Sequence, residues 1–264
     1  MSRATTLIAA TAAVLVSLGS LTACEPDDAS TAAAPPSTAS TPASAPAQDS
    51  ASPSGQAPTA TSSAGGQGVK GLPNPVWISA NNIPLYSAYH WASPAEAAKT
   101  AKDPKFEFES LCRSKRSTDL DGVTSRATAG QALLGSGGGQ DWQAKETIVN
   151  WPGKSSGAVQ TAAALFRGLV DELKACGTSA PGATVKVTTE DSTYLVATIT
   201  VPQAGGATAT LHQYLSNTSA TVSELALWSA PPAGGRPKVA WSAPSDAGVL
   251  KTLEGPLCST FQDC

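Results

Sequence analysis

Between residues 157 and 176 apolar side chains recur in steps of three and four: Val159, Ala162, Phe166, Leu169, Leu173 and Cys176. That spacing predicts an amphipathic helix, with Arg167, Asp171, Glu172 and Lys174 on the opposite face and Gly177 as its stop. Beyond it the period changes to two. A weak strand is read at 185–189, and three stronger ones at 193–201, 207–215 and 220–228, joined by short turns rich in Gly, Asn and Ser. Asn217-Thr218-Ser219 reads as one of these hairpin loops rather than a glycosylation site.

Upstream, residues 75–91 read as an aromatic, proline-punctuated segment laid over a core, with His90 and Trp91 packing its end. Ser93, Pro94 and Glu96 form a helix-start signal, and the helix is expected to stop before Asp103-Pro104. Phe106, Phe108 and Cys112 alternate, which predicts a short strand over 105–112. Residues 122–134 and 141–151 read as a hairpin around the glycine-rich turn 135–139. That turn lacks the Lys-Ser/Thr pair of a phosphate loop. Ser245 is read as the cap of a terminal helix through Leu253, ended by Gly255 and Pro256. The expected fold is α+β: one domain, a largely antiparallel sheet with helices packed on one face, and disulfides as staples.

The first 68 residues carry none of this patterning. Arg3 precedes an apolar stretch over 4–18 that has the length of a signal segment and is too short to span a bilayer. Leu21-Thr22-Ala23-Cys24 resembles the bacterial lipobox. The resemblance implies a signal peptide over 1–23, cleavage before Cys24 and lipidation (palmitate and related chains) of its thiol, which would make the lipid the membrane attachment. Residues 24–68 lack aromatic side chains and Leu, Ile, Val and Met after the cysteine, so they cannot offset the entropy of ordering. They are expected to be a disordered Pro/Ala/Ser/Thr linker holding the 69–264 domain on the order of 35–40 Å from the lipid. With Arg3 and the four linker acids set aside, the domain carries 16 basic and 16 acidic residues. No basic stripe appears, so nucleic acid is not an expected partner.

Cys112, Cys176, Cys258 and Cys264 remain after Cys24. An even count in an exported chain implies disulfides, with three connectivities open; Cys112–Cys176 with Cys258–Cys264 is preferred. A zinc site lacks a C-x-x-C pair and has only His90 and His212 to draw on. No metal and no cofactor are expected.

Two constellations bear on function. Gly153-Lys154-Ser155-Ser156-Gly157 fits G-x-S-x-G, and a serine hydrolase would use Ser155 with His212 and Glu224. Against it, the downstream chain is consecutive hairpins, the acid follows the histidine, and Ser155 or Ser156 serves equally as a helix cap. The second constellation comes from register. If Leu195, Ala197, Ile199 and Val201 face the helices, their partners are Leu215, Gln213, Leu211 and Ala209, and Leu225 and Leu227 join them. Tyr194, His212, Tyr214, Glu224 and Trp228 then share the other face, with Tyr194 across from Tyr214 and His212 across from Glu224. Such a face is a candidate ligand-binding surface.

A lipobox, a Pro/Ala/Ser/Thr spacer, Cys112 before a hairpin, the strand Thr147-Ile148-Val149-Asn150-Trp151-Pro152, a helix ending in Cys176, antiparallel strands and a terminal helix together resemble the PknH-like extracellular sensor domains of actinobacteria. The pattern covers roughly 100–253. It implies a small α+β sandwich with a cleft and a ligand-sensing role. The family's disulfide carries over to Cys112 and Cys176, and the Cys258–Cys264 tail has no counterpart. The reading that results is a noncatalytic ligand-binding or sensor-like lipoprotein on the extracytoplasmic face of the cell membrane. Its partner would be an unknown small ligand or envelope component. The alternative is a structural or protein-interaction lipoprotein of the envelope.

Overall fold

The computed structural model describes residues 68–116, 122–135, 141–153, 155–262 and 264. The leader, Cys24, nearly all of the linker and the glycine turn at 136–139 lie outside them. The elements in chain order are α1 (Tyr86–Tyr89), α2 (Pro94–Ala97), β1 (Lys99–Thr100), α3 (Glu107–Cys112), β2 (Thr128–Leu133), β3 (Gln143–Asn150), α4 (Ser156–Lys174), α5 (Cys176–Ser179), β4 (Thr184–Glu190), β5 (Tyr194–Pro202), β6 (Thr208–Thr218), β7 (Thr221–Ser229) and α6 (Asp246–Phe261).

The strands form one seven-stranded antiparallel sheet in the order β1-β2-β3-β7-β6-β5-β4. The β2–β3 hairpin and the β4–β7 meander meet at β3–β7, so an α+β sheet built from consecutive hairpins is what the chain forms. Two layers cover it. On one face α4 buries Ala162, Leu165, Phe166, Leu169 and Leu173 against Val149, Leu195, Ile199, Leu211 and Val222. On the other, α6 buries Val249, Leu250, Leu253 and Leu257 beside Trp77, Ile78, Ile83 and Trp91 of the N-terminal segment. Helices on a single face were expected; both faces are covered. The N-terminal segment lies so close to β2 that a Cβ at Gly130 would stand 2.9 Å from Val69 and 3.1 Å from Trp77.

Three local expectations change. The helix opening at Ser93 is one turn, and Ser93 makes no side-chain cap; Ala98 is extended and the chain enters β1. Residues 107–112 are helical, not a strand. The Glu109 carboxylate accepts the Phe106 N–H (2.7 Å), satisfying one of the donors that a helix start leaves open. The last helix does not end at Leu253 but runs through Gly255 and Pro256 to Phe261. Leu257 packs into the core and Cys258 is bonded to Cys264, so tertiary contacts outweigh the missing proline donor. The pairings Cys112–Cys176 and Cys258–Cys264 are both present. The first ties α3 to α5 directly behind α4. No helix among the described residues is long and apolar enough to cross a membrane.

Candidate functional site

The β5–β6 register is the one anticipated: Leu195, Ala197, Ile199 and Val201 pair with Leu215, Gln213, Leu211 and Ala209. Tyr194, His212 and Tyr214 therefore share the α6 face. Tyr194 lies directly opposite Ser216, and Tyr214 opposite Val196, so the two tyrosines are diagonal neighbours rather than a facing pair. β7 is offset by three residues from the expectation, an odd shift that exchanges its two faces. His212 pairs with Leu227, and Leu215 pairs with Glu224. Leu225 and Leu227 thus join the α6 face, while Glu224 and Trp228 point toward α4. The five side chains do not form one surface. Because both faces of β7 are buried, its apolar residues carry no record of which way they point.

Glu224 belongs to a buried polar network. Its carboxylate accepts from the Glu107 N–H (2.6 Å), Thr147 Oγ1 (2.8 Å) and Gln213 Nε2 (3.1 Å). Lys145 Nζ stands 3.7 Å from it and 2.8 Å from the Glu107 carboxylate. Burial pushes the Glu224 carboxyl above the ordinary range, opposed by Lys145 and the Glu107 N–H. Burial also disfavours the Lys145 cation, but Glu224 and Glu107 more than offset that, so it keeps its proton. Arg116 closes the next link, gripping both Glu109 oxygens (2.9 and 2.7 Å) and Asp103 (3.0 Å). The Glu224 part of the network lies between α3 and the sheet and positions α3, while Asp103 at its outer end is exposed.

The α6 face is different. The loop from Ala230 to Pro244 leaves β7 and folds back across the sheet end, carrying Trp241 onto His212. The two rings stack with centroids 3.5 Å apart and planes 3° from parallel. Trp142, just before β3, closes the cluster at 5.5 Å from His212 and 5.1 Å from Trp241. Its Nε1 donates to the Val239 carbonyl (2.8 Å), which fastens the loop down. His212 Nδ1 sits 3.2 Å from Thr198 Oγ1. Burial lowers the imidazole pKa to about 4, partly opposed by the Asp246 charge, so the ring is neutral at physiological pH. Tyr214 beneath it is pushed up by burial and by Asp246.

Two grooves open on either side of the His212–Trp241 stack. One, about 430 Å³, is lined by Thr188, Thr198, Tyr214 and Asp246 as well as the stack. A β-bulge in β4 shapes it. The register slips between Val187 and Thr189, and both Thr188 (2.6 Å) and Thr189 (3.0 Å) donate to Asp246 Oδ2 at the start of α6. The other groove, about 390 Å³, is lined by Trp142, Thr210, Ser229, Arg236 and Lys238 with the same two stacked rings. Tyr194 lies outside both, in a third depression against Leu250, Lys251 and Glu254 of α6. The loop and its Trp241 were missed as site residues. The available signal was a Pro/Gly-rich stretch, Pro231 to Pro237, followed by Trp241.

No hydrolase triad assembles from the residues proposed for one. Ser155 caps α4, its Oγ accepting the Ala158 N–H (3.2 Å). Glu224 and His212 face opposite sides of the sheet. Among the described residues no cluster of His, Cys, Asp and Glu could hold a metal ion.

No protein-family model matches the chain, and no curated protein matches it. Among solved structures it is similar to the extracellular domain of PknH from Mycobacterium tuberculosis, at 14% identity and a TM-score of 0.38, over 61% of this chain and 82% of that one.

Proposed function

We propose that the chain is an extracytoplasmic, lipid-anchored protein whose domain binds a ligand without chemistry. The observation that carries this reading is the pair of grooves flanking the His212–Trp241 stack. Aromatic walls and a few converging polar groups make the usual composition of a small-ligand site. His212 is packed flat against the Trp241 indole as part of the groove wall, its Nδ1 3.2 Å from Thr198 Oγ1. Anchoring rests on the sequence: a signal-like leader that ends on Cys24. Two disulfides in one domain favour an oxidising compartment.

The test is a thermal-shift screen of the oxidised chain against fractionated envelope extract and soluble metabolites. A ligand for the native state raises the melting temperature, and Trp241→Ala abolishes the rise. Flat melting curves in every fraction, or a rise that survives Trp241→Ala, count against this site.

A further inference from the structure

We infer that the groove between Trp142, Trp241 and the Arg236–Lys238 rim is a subsite for an acidic saccharide. This rests on the ligand-binding reading above and gives it a chemical class.

The floor is built by the sheet. Thr210 on β6 pairs with Ser229 on β7, and His212 with Leu227, so Thr210, His212 and Ser229 all rise from the same face. Ser229 is 1% exposed, lines the groove, and its Oγ has no hydrogen-bond partner. A buried hydroxyl left unpaired costs free energy, and natural structures seldom retain one unless something else completes it. A ligand hydroxyl at the groove floor would do so. The open wall is the half-buried indole of Trp241, backed by the buried indole of Trp142 at 5.1 Å and 45°. An indole presents a negative π-face and packs well against a ring that is apolar on one side.

The rim is cationic. Arg236 and Lys238 are exposed, and among the described residues neither has a salt bridge. No Asp or Glu lines this groove. Such a pocket wants an occupant with a negative group at its mouth, an apolar ring face against the indole and hydroxyls at its inner edge. A sugar ring bearing a carboxylate has all three. The volume of about 390 Å³ lies in the ordinary range for small-ligand sites. Asp246 is confined to the groove across the stack, where its charge would repel the same ligand. The two grooves therefore discriminate.

The experiment titrates the full chain with a linear hexuronate trimer and with a neutral hexose trimer of the same length. Affinity is followed by calorimetry and by tryptophan fluorescence. The acidic trimer is expected to bind about tenfold tighter at low salt, with the preference shrinking as salt rises. Arg236→Glu/Lys238→Glu removes the preference. Both side chains are exposed, so the double variant keeps its unfolding midpoint. Ser229→Ala weakens both trimers alike. Equal affinity for the two trimers, or an acid preference that survives the double charge reversal, overturns the proposal. If neither trimer binds but an envelope fraction still raises the melting temperature through Trp241, the saccharide class is wrong and the ligand-binding reading stands. If neither trimer nor any fraction acts, both fall.

Discussion

His212 lies flat on Trp241, their ring centroids 3.5 Å apart, and that contact is made by a neutral imidazole. The native ring has a pKa of about 4, lowered by burial, against 6.5 for an unperturbed histidine. Between those values the unfolded chain binds the extra proton. The stability contribution is thus complete above pH 6.5 and is lost as pH falls through 4. NMR of the His212 ring in the native protein should show titration near pH 4. His212→Gln should flatten the pH dependence of unfolding between 4 and 6.5. A ring that titrates near 6.5 in the folded state would mean that the stack is open to water.

Glu146 gives the opposite slope. It is fully buried on β3, and its two oxygens share one donor, the Ile78 N–H, at 3.1 and 3.3 Å. Burial raises its pKa to about 8, opposed only by that hydrogen bond. Here the native state holds the extra proton between pH 4.5 and 8. Its stabilising effect is full below 4.5 and declines as pH rises, by at most about 1.4 kcal/mol per pH unit, until the folded pKa is passed. Glu146→Gln keeps a carbonyl for Ile78 and cannot ionise. Urea unfolding at pH 9 should find the variant more stable than the parent, with the difference vanishing by pH 4.

The contrast between these two residues says what the sequence could reveal. Helix α4 was legible because Val159, Ala162, Phe166, Leu169 and Leu173 mark one face and charges mark the other. The β5–β6 register was legible because Leu195 to Val201 alternate cleanly. β7 was not, because both of its faces are buried and each carries apolar and polar residues, so an odd register slip costs the pattern little. Glu224 and Glu146 were opaque for the related reason that a charged letter implies solvent, and each is instead enclosed by partners from far along the chain. At the start of α3, Phe106 and Phe108 alternate like a strand, and the Glu109 carboxylate that starts the helix is a tertiary as much as a local feature, since Arg116 holds it in place. The wall that matters most, Trp241, sits in a loop with no period to read.

The Lys145–Glu224 arrangement predicts an asymmetry. Lys145→Ala removes the cation from Glu107 and Glu224 while Glu224 stays buried, and should cost roughly 3 kcal/mol in urea unfolding. Adding Glu224→Gln to a Lys145→Met background should recover much of that, because no uncompensated charge is then enclosed. Additive losses in the double variant would show that the pair does not act as a unit.

The two disulfides should differ in weight. Cys112–Cys176 spans 64 residues and Cys258–Cys264 spans 6. On the chain-entropy model their removal costs about 4 and about 2 kcal/mol. Cys112→Ser/Cys176→Ser should lower the melting temperature by roughly 10 °C and Cys258→Ser/Cys264→Ser by about half as much. The first pair also locks α3 beneath the Lys145–Glu224 network, so its loss should make the Lys145→Ala effect smaller. Equal shifts from the two pairs would place the stabilisation in local geometry rather than in the length of chain closed.

Ser155 separates a cap from a nucleophile. As the N-cap of α4 it satisfies the Ala158 N–H, so Ser155→Ala should cost about 1 kcal/mol and Ser155→Gly only a few tenths. Ser155→Asp should be tolerated nearly as well as the parent, since a carboxylate accepts the same bond and suits the positive end of the helix. A nucleophile obeys a different order: all three replacements would abolish turnover of an ester probe, and Asp would be no better than Ala. Measuring unfolding midpoints and ester hydrolysis on the same four proteins decides between them. The capping order with no serine-dependent turnover is the expected result, because His212 and Glu224 cannot reach one another across the sheet.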